Sequence, residues 1–311
     1  EDGIRDVERS RGLGDVYKRQ IIAFSLAATF PIKEVRNMML GLSSYAYRWS
    51  IAVKGYIPAH PLDTRRFILK AIEHGVQGVH LCDHLDFIDQ PEEELKEIRS
   101  LIEENGIFVE TGASNCNSTY LEKMIRISCM LGSHILRAVP EVNCDYSSDE
   151  ISYQVEEIKK NLGQVLNVAT RCGVKIALEN HGRITASEML SVVTGLDSEW
   201  VGVCLDTMNS VVLLEKPEYT AELLGPLTIT AHFKDFKIIP DPRGHRIIGA
   251  CLGEGMVDFT VILEILRRSG VDPNINIELF IDRRENEEVT HAWENYCVKK
   301  SIHYARDVLR I

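Results

Sequence analysis

From Met39 onward, short apolar runs alternate with longer segments in which apolar residues recur every three or four positions. Short runs without polar alternation are typical of strands buried on both faces, and the longer segments are typical of amphipathic helices. The predicted strands are 40–45, 76–81, 107–111, 134–139, 174–178, 200–205, 227–231 and 274–277. The pattern therefore predicts eight strands, with a helix after nearly every one.

The alternation of strands and helices predicts a parallel sheet with right-handed crossovers. Eight such units favour closure into a single-domain (β/α)8 TIM barrel, a fold that commonly takes about 250 residues or more. An open doubly wound sheet is the rival, but no G-x-G-x-x-G follows the first strand. We expect the barrel to occupy residues 39–311, with a long polar loop at 237–257 after the seventh strand.

The first 38 residues do not fit this pattern. Residues 1–20 have neither a helical nor a strand period, and they resemble the translation of a sequencing adapter. We expect residues 1–38 to be a non-native or disordered extension outside the barrel.

The composition narrows the range of partners. The net charge of −11 disfavours nucleic acid, which needs a clustered basic surface. No apolar run approaches the roughly 20 residues that span a membrane. The eight cysteines include no C-x-x-C pair, which indicates reduced thiols in a cytoplasmic protein.

Four consecutive predicted strands end in a residue that can bind a metal ion. These residues are Glu179, Asp206, His232 and Glu278, after strands five to eight. In a closed barrel the carboxyl ends of the strands surround one opening, where the active site lies. Three carboxylates and one imidazole suit Mn²⁺ or Mg²⁺, with Co²⁺ or Zn²⁺ as alternatives. The sequence therefore predicts one divalent metal ion at this rim.

The residues around these positions resemble the xylose-isomerase-like barrel superfamily, often called sugar phosphate isomerases/epimerases. The motifs that carry the resemblance are Leu178-Glu179-Asn180-His181, Cys204-Leu205-Asp206-Thr207-Met208-Asn209, Ala231-His232-Phe233-Lys234-Asp235, Leu252-Gly253-Glu254-Gly255 and Ile277-Glu278. The resemblance implies that the four residues are the metal ligands and that Glu179 and Glu278 are also an acid/base pair. It further implies a sugar or keto-polyol substrate and a homo-oligomer.

The implied activity is a metal-dependent sugar isomerase or epimerase that acts through a metal-stabilised enediolate. A lyase that dehydrates an inosose-like keto compound, or cleaves a 3-keto-glycoside, would use the same residues. Asn209 and Ile238 stand where ketose 3-epimerases typically have histidine and arginine, which weakens that assignment. A non-catalytic barrel that binds a sugar or a partner is the alternative of another class, but it would not need two opposed carboxylate bases.

Several other polar and aromatic residues could either bind the substrate or have only a structural role. The candidate substrate-binding residues are His181, Lys234, His245, His84, Glu110 and Trp49. His181 could instead orient Glu179, Lys234 could pair with Asp235, and His245 in the long loop could be an ordinary exposed histidine. We expect His84 and Glu110 to face the mouth, and Trp49 and Tyr47 either to line it or to pack. His80 is expected in the core, Arg137 as an ion-pair partner of a carboxylate, and residues 253–255 as a turn.

Overall fold

The computed structural model describes residues 38–140 and 148–311. Eight parallel strands close into a barrel in the order β1-β10-β7-β6-β5-β4-β3-β2. They are Leu40–Ser43 (β1), Gly78–Cys82 (β2), Phe108–Ala113 (β3), Ile135–Ala138 (β4), Lys175–Glu179 (β5), Val201–Asp206 (β6), Thr228–Phe233 (β7) and Asn274–Ile277 (β10). The predicted single-domain TIM barrel is confirmed. The expectation for residues 1–38 concerns a stretch that, apart from Met38, lies outside the described residues.

Helices follow the barrel strands and surround them. They are Arg48–Ile51 (α1), Thr64–Glu73 (α2), Glu92–Glu104 (α3), Ser118–Leu131 (α4), Ser148–Cys172 (α5), Ala186–Leu196 (α6), Pro217–Leu224 (α7), Phe259–Arg268 (α8) and Glu287–Tyr304 (α9). Asp63 caps the start of α2, where its carboxylate accepts the amide of Arg66. No helix in the described residues is long and apolar enough to cross a lipid bilayer.

The apolar core lies mainly between the barrel strands and the helices around them. Leu42 of β1 and Phe67 of α2 are both completely buried and belong to this core. Because the strands are covered on both sides, their backbone runs are buried almost throughout. Only the strand ends and the loops that follow them are left for chemistry.

The region predicted as a long polar loop forms an antiparallel hairpin instead, so that prediction is wrong. Its strands are Asp235–Asp241 (β8) and Gly244–Ala250 (β9), which pair from Asp235↔Ala250 to Asp241↔Gly244. Only the residues nearest the barrel are buried, and most of the hairpin is exposed or half-buried. An exposed hairpin keeps polar side chains on both faces and therefore lacks the apolar alternation that marks a strand.

Asp235 joins the hairpin to the turn before α8. Its carboxylate accepts backbone amides from Phe236, Gly253, Gly255 and Val257, at 2.8 to 3.1 Å. A Cβ atom on Gly255 would lie 2.0 Å from Asp235 Oδ1, so only glycine fits there. Residues 253–255 therefore form the expected turn, which leads into α8.

Candidate active site

The four predicted metal-binding residues converge at the carboxyl end of the barrel. Glu179 and Asp206 end β5 and β6, His232 lies in β7, and Glu278 directly follows β10. These strands are neighbours in the barrel, and all four side chains are buried. One ligand atom from each residue lies within 4.8 Å of the others. The strand ends thus form one compact group of three carboxylates and an imidazole.

The unpaired atoms in this group indicate that a divalent ion would fit. Within the described residues, both ring nitrogens of His232 are buried without a partner in hydrogen-bond geometry, and Asp206 Oδ2 is buried beside the Lys234 ammonium group at 2.9 Å. His232 Nδ1 nevertheless lies 3.2 Å from Glu278 Oε2 and 3.7 Å from Glu179 Oε1. Buried polar atoms without partners are rare, and a shared cation would satisfy them together.

Asp206 is held by the chain around it. Its Oδ1 accepts the amides of Met208 and Asn209, each at 2.8 Å. Asn180 accepts the Asp206 amide at 2.7 Å and donates to the Asp206 carbonyl at 2.9 Å. These bonds occupy one carboxylate oxygen and leave Oδ2 facing the group. The Glu-Asn and Asp-Thr-Met-Asn motifs therefore share one local framework.

Glu179 has two fixed neighbours. Arg137 Nε lies 3.3 Å from Oε2, and Asn209 Nδ2 donates to Oε1 at 2.8 Å. Burial alone would raise the pKa of Glu179, but Arg137 and His232 hold it well below its usual range. Arg137 is thus the ion-pair partner of a carboxylate, as expected, and Glu179 is ionised.

Lys234 pairs with two of the predicted ligands and not with Asp235. Its ammonium nitrogen lies 2.9 Å from Asp206 Oδ2 and 2.7 Å from Glu278 Oε1. Burial alone would raise the pKa of Glu278, but Lys234 and His232 lower it to about 2. Both carboxylates proposed as acid and base are therefore charged at neutral pH.

The aromatic and histidine candidates at the rim have different surroundings. His84 follows β2, and its imidazole packs against Tyr45 with 4.3 Å between ring centroids. Trp49 is half-buried and donates from Nε1 to the Ile281 carbonyl at 2.8 Å. His181 is exposed directly after β5. Tyr47 is fully buried and binds His74 and Asn295 through its hydroxyl group, so it packs rather than lines the mouth.

Two candidates lie away from the four-residue group. Glu110 accepts hydrogen bonds from Thr230, Asn274 and Asn276 at 2.6 to 2.8 Å, inside the barrel. The expectation that Glu110 faces the mouth is wrong, because β3 continues past Thr111 to Ala113 and leaves Glu110 deep in the strand. His245 is exposed near the far end of the hairpin, paired with Pro240.

His80 is a site residue that the sequence did not reveal. It is buried as expected, but it points into the barrel, where it forms a second potential metal-binding group with His232 and Glu278. Its ring centroid lies 4.6 Å from that of His232, and its Nδ1 lies 3.3 Å from Ser43 Oγ. Ser43 in turn donates to Glu278 Oε2 at 3.1 Å. The sequence did contain a signal for this position. Alternate side chains of a strand share one face, so His80 lies on the same face of β2 as residues 78 and 82.

Fold and site together define a TIM barrel with a buried group of potential metal ligands at the carboxyl end of its strands. Residues 68–295 match the model of one family, described as xylose isomerase-like TIM barrel. The chain belongs to this family, which confirms the resemblance seen in its motifs.

Known proteins similar to this chain include enzymes of several reaction types. It is 24% identical over 269 residues to the 3-oxo-isoapionate decarboxylase of Pectobacterium atrosepticum, covering 86% of this chain and 94% of that protein. D-psicose 3-epimerase from Clostridium cellulolyticum H10, solved with D-tagatose, has a TM-score of 0.70 and 16% identity over 88% of this chain and 100% of that one. A zinc-bound IolI protein has a TM-score of 0.66 and 18% identity over 86% and 97%.

Proposed function

We propose that the protein is a divalent-metal-dependent isomerase or epimerase of a small polyhydroxylated carbonyl compound. The observation that carries the proposal is the convergence of Glu179 and Glu278 with Asp206 and His232 within 4.8 Å. These four residues would hold the ion, for which the oxygen-rich set favours Mn²⁺ or Mg²⁺ over Zn²⁺ or Co²⁺. When bound, the ion would polarise the substrate carbonyl and the adjacent hydroxyl group, and so acidify the C–H bond between them.

The protein's own residues would then move the proton. One of Glu179 and Glu278, as a carboxylate, removes it from carbon. The other, after it has taken up a proton from solvent, delivers that proton to the resulting enediolate. Return to the opposite face of the same carbon gives epimerisation, and return to the neighbouring carbon gives isomerisation. Asn209 holds Glu179 through its Nδ2 and lies 3.4 Å from Lys234 Nζ through its Oδ1. Lys234 is the cation available to a substrate oxygen.

A lyase reaction at the same residues is the second candidate. The relative that matches along 94% of its length is named a decarboxylase of a 3-oxo sugar acid. Loss of CO₂ from such an acid leaves the electron pair of the broken C–C bond on the adjacent carbon as an enolate, which a carboxylic acid then protonates. Loss of a β-hydroxyl group from an inosose-like keto compound would proceed through a similar anion. Decarboxylation needs only a proton donor, whereas dehydration and epimerisation also need a base that removes a proton from carbon.

An isotope experiment tests the proposal and separates the two candidates. The protein is incubated in D₂O with Mn²⁺ and a panel of ketoses, inososes and 3-oxo sugar acids. We expect deuterium at a carbon adjacent to the carbonyl group, with loss of this exchange in Glu278→Gln and its retention in Glu264→Gln on the exposed face of α8. Release of CO₂ or an enone absorbance would establish the lyase. No exchange, CO₂ or enone across the panel would refute both.

A further inference from the structure

A cavity of about 660 Å³ lies at the mouth of the barrel, between the segment after α1 and the end of β2. Residues 52–57 form its wall, and His84 is its contact with the strand ends. The wall is tightly built: Val53 and Tyr56 exchange two backbone hydrogen bonds of 3.0 and 2.8 Å. The Tyr56 hydroxyl group also donates to Glu287 at the start of α9, at 3.2 Å.

His84 enters this cavity without a hydrogen-bond partner. Both of its ring nitrogens are buried and unpaired within the described part of the chain. Its imidazole packs against Tyr45, two residues after β1, so the cavity lies at the carboxyl end of the barrel. A neutral imidazole offers one donor and one acceptor, and a bound ligand would satisfy both.

Unpaired cations surround the same cavity. Lys54 lines it, and the Arg283 guanidinium lies 4.6 Å from the centroid of the Tyr56 ring, which also lines it. Arg48 is not among the residues that line the cavity; it lies over Phe280 at 4.3 Å, and the carboxylates of Glu278, Glu294 and Asp282 act on it. Across residues 38–140 and 148–311, none of these three side chains forms an ion pair, although the chain carries a net charge of −11.

Two of the nearby carboxylates, Glu287 and Asp83, already have other partners. Glu287 accepts from the Tyr56 hydroxyl group and from the Ala59 amide. Asp83 accepts from the Ser114 amide and from the Tyr120 hydroxyl group. The positive charge at the cavity is therefore available to a ligand.

We propose that this cavity binds an oxyanion, carboxylate or phosphate, at the end of the substrate remote from the reacting carbon. Lys54 is the direct cation, His84 donates a ring N–H group, and Arg283 beside Tyr56 strengthens the local positive potential. The inference rests on the proposed function and narrows its substrate to acidic sugars or sugar phosphates. It also explains why an acidic protein keeps its cations unpaired at this place.

Binding measurements on the full-length, Mn²⁺-loaded protein test this inference. The probes are erythritol, erythronate and erythritol 4-phosphate, which share four carbons and differ in charge. We expect at least one anion to bind tenfold or more tightly than erythritol, by isothermal titration calorimetry. Lys54→Met should remove most of this preference, and Lys299→Met, on the exposed face of α9, should leave it unchanged. The anion that loses more affinity in Lys54→Met identifies the group that the cavity prefers.

Two outcomes would overturn the inference. One is an absence of preference for either anion, including failure of both to bind at millimolar concentration. The other is a preference that persists in Lys54→Met, which would place the anion on the metal ion and not in the cavity. Because the measurement needs no turnover, failure of the proposed reaction leaves its result intact. Conversely, exchange in D₂O combined with an unselective cavity would refute only the anion site.

Discussion

Lys234 and Glu278 form an ion pair at the carboxyl end of the barrel, with 2.7 Å between Nζ and Oε1. The same ammonium group lies 2.9 Å from Asp206 Oδ2. All three side chains are buried, so the lysine neutralises a group of carboxylates that would otherwise repel each other. The cation of the protein and the proposed divalent ion therefore compete for the same oxygens.

This competition predicts that Lys234→Met will bind Mn²⁺ about tenfold or more tightly than the unmodified protein. The metal-free variant should be less stable by about 3 kcal/mol, because the two buried carboxylates of Asp206 and Glu278 lose their nearest cation. Titration calorimetry and urea unfolding measure the two effects. Lys237→Met, on the exposed part of β8, is the matched control. Unchanged or weaker binding of Mn²⁺ would show that Lys234 does not compete with the ion.

Removal of the Arg137 charge should destabilise the barrel strongly. Arg137 contacts Glu179 at 3.3 Å, Cys82 Sγ at 3.0 Å and the Ala113 carbonyl at 3.2 Å, all in the interior. Arg137→Met leaves Glu179 without its main cation, and we expect a loss of about 3–5 kcal/mol in the free energy of unfolding. Arg137→Lys keeps the charge and should lose less. Urea unfolding measures both variants. Equal losses of unfolding free energy for Arg137→Met and Arg137→Lys would mean that the shape of this side chain matters more than its charge.

The stability of the protein should depend on the ionisation of Glu294. This carboxylate accepts from the Trp49 amide and the Ser50 hydroxyl group, and burial raises its pKa from 4.5 to about 7. The folded protein therefore keeps a proton that the unfolded chain releases, and stability falls as the pH rises from about 4.5 to 7. The loss amounts to about 3 kcal/mol, at about 1.4 kcal/mol per pKa unit.

Glu294→Gln keeps an acceptor for the Trp49 amide, places an amide donor opposite the Ser50 hydroxyl oxygen, and cannot ionise. We expect it to be more stable than the unmodified protein by up to about 3 kcal/mol at pH 8, with little difference at pH 4.5. Urea unfolding across this range measures the effect, and Glu288→Gln on the exposed face of the same helix is the control. Parallel pH profiles for the unmodified protein and Glu294→Gln would contradict the prediction.

His84→Phe should stabilise the protein while it weakens ligand binding. The substitution removes two buried nitrogens that lack partners, which should add about 1 kcal/mol at pH 7. Burial lowers the pKa of His84 to about 4, so the folded protein binds fewer protons than the unfolded chain between pH 6.5 and about 4. Stability therefore falls as the pH drops through this window, and His84→Phe should remove that loss.

Thermal unfolding at pH 7 and pH 5 measures both effects of His84→Phe. His60→Phe, at an exposed position, controls for the added ring. A lower melting temperature for His84→Phe at pH 7 would show that the imidazole already has a partner within the folded protein.

The convergence of Glu179 and Glu278 was predictable from the sequence for a simple reason. Each follows a run that is buried on both faces, so polar residues are confined to the end of the strand. All the barrel strands are parallel, and their ends therefore share one rim. Positions along the chain were enough to predict which side chains meet, without knowledge of any distance.

The register inside the barrel was not predictable in the same way. The predicted strand 107–111 ended before Gly112, yet Gly112 and Ala113 also belong to β3 and are buried within it. Glu110 consequently lies below the mouth. His80 was expected in the core and is buried. Its contact with His232, however, depends on the relative heights of two strands that face each other across the barrel. The sequence did not predict the hairpin 235–250. Both of its faces meet solvent, so its residues lack the apolar alternation of a half-buried strand.

The carboxylate of Asp235 has a consequence for how this protein can diversify. Four amides converge on it, so the base of the hairpin and the turn at Gly255 behave as one rigid clasp beside Lys234. The distal hairpin residues, such as His245, lie beyond that clasp and are exposed. Evolution can therefore vary the hairpin tip in length and chemistry while the clasp insulates the catalytic rim from the change.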